Sequence, residues 1–141
     1  MSQPLPQWAA DYLAAWQQRL LLQEWEIHAL AVPSPSADGS GSTLACVRVQ
    51  PDVWRADIEV LDTIPADDQE DGREDWRQTL IHELLHIRLG RLTDHVERDL
   101  LPELSPSAQS IASGVFRREV EPVVDILARV LRDMEANAHT A

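Results

Sequence analysis

"TLIHELLHIRLG", residues Thr79 to Gly90, is apolar at Leu80, Ile81, Leu84, Leu85, Ile87 and Leu89, and breaks that run with His82, Glu83 and His86. A greasy stretch of this length suits a helix buried on most of its sides. On a helix, His82 and His86 stand about one turn apart, roughly 6 Å along the axis, so their imidazoles leave the same face and can converge on one ion. Glu83 projects about 100° further round, too far to be a natural third ligand but placed to touch a water held by that ion. The chain has five histidines. Two of them at this spacing, with an acid between, fit a metal site better than a buried pair satisfied by hydrogen bonds alone.

Working outward, Trp8, Tyr12, Trp16 and Leu20, with Leu13 and Leu21 alongside, predict a helix from Trp8 to about Gln23. "WEIHALAV" (Trp25 to Val32) predicts a strand, and the Pro/Gly/Ser-rich residues Pro33 to Ser42 a loop. "TLACVRV" (Thr43 to Val49) and "WRADIEVL" (Trp54 to Leu61) predict a hairpin, with Trp54, Ala56, Ile58 and Val60 on one face. The acidic segment Pro65 to Asp75 reads as a solvated loop whose last carboxylates favour the start of the motif helix. Downstream, Ser105 fits an N-cap and Pro106 the first helical position. Pro122 predicts a kink or a new helix beginning near it. Val120, Val123, Val124, Leu127, Leu131 and Met134 form an apolar stripe that should press this helix onto the core. The expected architecture is a single α+β domain over residues 1–141: an N-terminal helix, a small, mainly antiparallel three-stranded sheet, the motif helix and a C-terminal helix.

Composition narrows the classes of function. Twenty-four acidic against twelve basic residues give a net charge of −12, which repels a phosphate backbone over most of the surface and disfavours nucleic acid as a partner. The single cysteine, Cys46, forbids an internal disulfide and fits a reducing, cytoplasmic setting. The start "MSQPLPQW" has neither a basic patch nor an apolar core, and no eighteen apolar residues run together, so neither a signal peptide nor a membrane span is expected.

Zinc with one corner open to water needs a third protein ligand. A metzincin-type site would continue with glycine and histidine where this chain has Leu89 and Leu92. Asp94 and His95 lie close by but would need a tight turn after Gly90. "EPVVDILA", Glu121 to Ala128, sets Glu121 and Asp125 on one helix face. Glu119 is a near competitor, with Val123 rather than an acid four residues on.

His82-Glu83-Leu84-Leu85-His86 and Glu121-Pro122-Val123-Val124-Asp125 together resemble the gluzincin metallopeptidases, and more narrowly the small phage and prophage HExxH metallopeptidases. The resemblance covers most of the chain, although only these two short motifs are specific. It implies a minimal gluzincin core, Glu121 as third zinc ligand and Asp125 orienting a ligand histidine. With it come Glu83 as general base and a protein or peptide as substrate. A tyrosine or histidine that steadies the oxyanion in larger gluzincins has no clear counterpart here; Tyr12, His28, His95 and Arg117 are the candidates. The strand Trp54 to Leu61 is the expected aligner of an extended peptide by backbone pairing. The alternative reading is a metal-holding regulatory or interaction protein that retains the site and cuts little.

Overall fold

The computed structural model describes residues 2–35, 40–42, 44–67 and 75–140. The strands are β1 (Gln3–Pro4), β2 (Glu26–Val32), β3 (Ser40–Ser42), β4 (Ala45–Gln50) and β5 (Arg55–Leu61); the α-helices are α1 (Gln7–Arg19), α2 (Trp76–Arg88), α3 (Gly90–His95) and α4 (Pro106–Thr140). A π-helical turn at Val96–Leu100 and a 3-10 turn at Leu101–Glu103 link α3 to α4. No helix among the described residues is long and apolar enough to cross a membrane.

The chain is α+β as expected, but the sheet is larger and mixed. Its order is β1-β2-β5-β4-β3. β2 and β5 run parallel, Glu26 opposite Arg55 through Val32 opposite Leu61, while the other neighbouring pairs are antiparallel. The predicted hairpin is present as β4 and β5, joined through a 3-10 turn at Pro51–Val53. It lies with β5 inward against β2, so the stretch expected to offer a free edge is a central strand. Ala56, Ile58 and Val60 bury one face of it. Of the expected 33–42 loop, Ser40–Ser42 pair with β4 as a short strand and residues 36–39 fall outside the description. Residues 68–74 of the acidic segment do so too.

Local chemistry sets the helix ends. The Asp75 side chain caps α2 by accepting from the Gln78 N–H at 3.0 Å. The Ser105 hydroxyl accepts from the Ala108 N–H at 3.3 Å where α4 starts. α1 stops four residues short of the expected Gln23. Leu21 takes a left-handed conformation (φ 58°), and the N–H groups of Leu21 and Leu22 bond the carbonyls of Gln18 and Gln17, the pairing of a Schellman motif. Leu22, fully buried, anchors that turn.

α2 is the centre of the packing, touching β4, α1 and α4. Every residue from Leu80 to Ile87 is buried. α4 runs unbroken through Pro122 rather than starting afresh there. Pro122 withholds the N–H that the Arg118 carbonyl would have accepted, and it lies on the exposed side, where water can replace that bond. The face of α4 that meets the core is narrower than the expected stripe: Val124 and Ala128 are fully buried and Val120 and Leu131 partly so, while Val123, Leu127 and Met134 face solvent. Glu135 ties the far end of α4 to α1. Its carboxylate accepts from the Tyr12 hydroxyl at 2.6 Å, from Trp16 Nε1 at 3.0 Å and from Arg19 at 2.6 Å. Burial alone would raise this carboxyl, but those hydrogen bonds prevail and hold it below the ordinary glutamate range.

Two outcomes follow for stability. A Cβ on Gly90 would lie 2.6 Å from Val49 Cγ1, so Gly90→Ala should cost about 1–3 kcal/mol by overpacking, and Val49→Ala should relieve much of that loss; denaturant unfolding of the single and double variants measures both. Glu135→Gln should cost about 1–2 kcal/mol at neutral pH. Because the folded pKa is depressed, that difference is present above the ordinary carboxylate pKa of about 4.3 and fades as pH falls through the folded value; urea titrations of both proteins across that range show the convergence.

Candidate metal centre

α2 and α4 cross so that one turn of each contributes to a single cluster. His82 and His86 project from the same face of α2, and α4 brings Glu121 across to them. One donor atom of each lies within 4.8 Å of the others. Nε2 of His82 is 2.8 Å from Oε1 of Glu121, Nε2 of His86 is 3.0 Å from Oε2, and the two nitrogens are 3.2 Å apart. The rings meet edge to face, with centroids 4.9 Å apart.

These separations suit a small divalent cation. Tetrahedral zinc with bonds of about 2.0–2.1 Å has ligand-to-ligand edges of about 3.3–3.4 Å, a few tenths longer than the distances seen. Each ring nitrogen faces both the other and a Glu121 oxygen, so its lone pair, when unprotonated, points into the centre. On the opposite side of His82, Nδ1 faces Oδ1 of Asp125 at 3.5 Å. At that distance the Asp125 carboxylate acts on the ring by its charge, on the side away from Nε2. Asp125 in turn faces Arg129 at 3.6 Å. Burial lowers the pKa of His86, and neighbouring His82 adds to this, outweighing the opposing pull of Glu121; the neutral, metal-binding form gains.

Glu83 is fully buried, and neither carboxylate oxygen has a hydrogen-bond partner among the described residues. Burial, then the charge of Glu121, pushes its pKa well above the ordinary carboxyl range. An orphaned buried carboxyl is costly, and nothing in the packing of α2 requires one here. It is the polar group that a water or cation at the centre would satisfy.

A depression of about 630 Å³ opens on one side of the cluster, lined among others by Thr79, His82, Arg118, Glu121 and Asp125. A second, of about 470 Å³, lies on the other side against Val49, His86, Gly90, Phe116 and Glu121. Glu121 separates the two. Glu83 lines neither.

Of the residues singled out in the sequence, His82, His86, Glu121 and Asp125 come together here, with Glu83 enclosed beside them. Glu119 is exposed on another face of α4 and takes no part in the cluster. His95 pairs with Asp99 at 2.8 Å on α3 and the turn after it, away from the cluster. Neither Tyr12, committed to Glu135, nor His28, paired with Glu26, nor Arg117, paired with Glu97, lies free to meet an oxyanion. Arg118 was not anticipated, although it sits on the same face as Glu121 and Asp125 at helical spacing, a pattern readable from the sequence.

Compared with protein-family models, with curated proteins and with solved structures, the chain finds no match.

If Glu83 is kept for chemistry rather than packing, removing its charge should strengthen the fold. Glu83→Met, close in volume, is expected to raise the unfolding free energy by about 1–3 kcal/mol in the presence of a chelator, measured by guanidinium denaturation against the parent chain.

Proposed function

We propose that the protein is a zinc-dependent metallopeptidase of the gluzincin kind, with His82, His86 and Glu121 as metal ligands, Asp125 orienting His82 and Glu83 as general base. The observation that carries this reading is the meeting of three donor atoms from two helices within bonding range of one ion, beside a buried carboxyl that has no hydrogen-bond partner among the described residues. Two imidazoles and a carboxylate are a donor set of catalytic zinc, which keeps a fourth position for water. Bound there, zinc supplies Lewis acidity, bringing a water to a pKa of about 7 and polarising a carbonyl.

The chain's own residues do the rest. Asp125, 3.5 Å from Nδ1, orients the ring of His82 by its charge. Glu83, made a stronger base by its enclosure and by the charge of Glu121, accepts a proton from the attacking water and returns it to the leaving amine. The 630 Å³ depression beside His82 and Glu121 is large enough for several residues of a peptide and is the entry this reading uses. Since β5 is central, a peptide cannot be aligned along it.

The enclosure of Glu83, which lines neither depression, favours a second reading in which the centre holds metal and cuts little. The two separate on three measurements: bound zinc, thermal stability with and without zinc, and cleavage of a mixed peptide library. On the peptidase reading Glu83→Gln keeps stoichiometric zinc and loses cleavage by at least about 10²-fold, whereas Glu121→Ala loses both. Zinc should stabilise the parent chain by about 2.7 kcal/mol at a hundredfold excess over its Kd, and Glu121→Ala should abolish most of that gain. Zinc-loaded parent protein that leaves a broad library intact sinks the peptidase and leaves the metal-holding protein; failure to bind zinc sinks both.

A further inference from the structure

α4 carries an apolar face that no described residue covers. Val115, Val123, Ile126, Leu127, Val130 and Met134 are 41, 50, 55, 41, 46 and 62% exposed, on a helix whose opposite face packs against the core. From Val123 to Met134 they recur at three- and four-residue spacings on one side of the helix, and Val115, eight residues before Val123 with Glu119 between, extends that side to about 28 Å. A stripe of that length is beyond the scattered exposure normal for a surface.

Charges beside the stripe say what covers it. Glu119 and Asp133 are exposed on the stripe's side of α4 and make no ion pair among the described residues, and exposed Arg129, at its flank, has only the 3.6 Å contact with Asp125. The N-terminal half of the stripe therefore carries Glu119, and the C-terminal half Arg129 and Asp133. From this arrangement we infer that α4 pairs antiparallel with α4 of a second copy about a two-fold axis near Val124 and Asp125. In that register Val115 meets Met134, Val123 meets Ile126 and Glu119 falls beside Arg129, each twice by symmetry. A parallel pair would instead set Glu119 against Glu119 and Asp133 against Asp133. Antiparallel packing covers the stripe, sets Glu119 beside Arg129, and leaves the interior face of α4, with Arg118, Glu121 and Asp125, to its own chain.

Sedimentation of the full chain up to about 100 μM, with light scattering for mass, tests this. The expected species has twice the 15.9 kDa of one chain. Val130→Asp, at an exposed site that leaves the fold intact by circular dichroism, should give a monomer. Glu119→Arg alone and Arg129→Glu alone should each weaken the dimer about five- to tenfold by facing like charges, and the two together should restore it. A parent chain that stays monomeric throughout, a dimer indifferent to Val130→Asp, or a double swap as weak as the single ones would each overturn the proposal.

Discussion

The crossing of α2 over α4 is the contact on which the rest turns. α2 is buried along Leu80 to Ile87, and that burial fixes its rotation about its own axis. With the rotation fixed, His82 and His86 can face only α4, and α4 meets them with Glu121 because Val124 and Ala128 hold its core face in place. Helix packing of this kind sets side-chain positions to a fraction of an ångström, which a metal centre requires and loops seldom provide.

Placing polar groups in such a helix has a cost that the molecule leaves visible. Glu83 is enclosed without a hydrogen-bond partner among the described residues, and burial, with the charge of Glu121, holds its pKa well above the ordinary carboxyl range. Elsewhere the chain satisfies its buried polar groups with care: Glu135 draws donors from Tyr12, Trp16 and Arg19, and Gln17 reaches the Leu22 and Trp25 carbonyls at 3.0 Å. Against that background the unpaired carboxyl reads as a group reserved for something outside the protein chain. The same contrast applies to α4. Its inner face is packed, its ends are tied, and its outer face exposes aliphatic side chains that a solitary helix would carry as charged or polar ones.

Much of this was legible in the sequence because it depends on spacing along one element. The four-residue interval of His82 and His86, the pairing of Glu121 with Asp125, the alternation in β5 and the caps at Asp75 and Ser105 are local patterns, and a helix or strand of fixed pitch turns them directly into shared faces. The α+β class and the three longer strands belong to the same category.

What the sequence could not settle is everything that depends on which face meets what. Periodicity marks α4 as apolar over a wide arc but does not say which part of that arc touches the core, so Val123, Leu127 and Met134 were grouped with Val124. Strand direction is likewise a property of neighbours: β2 and β5 are separated by more than twenty residues, and only the docking of the hairpin with β5 inward makes them parallel and central. The two-residue β1 and the short β3 exist because a longer strand offers them an edge. By itself, then, the sequence determined the donors and their spacing on each helix, since helical pitch is local; the tertiary structure alone decided that Glu121, and neither Glu119 nor His95, meets the two imidazoles, because that choice rests on how two helices rotate against each other when their apolar faces are buried.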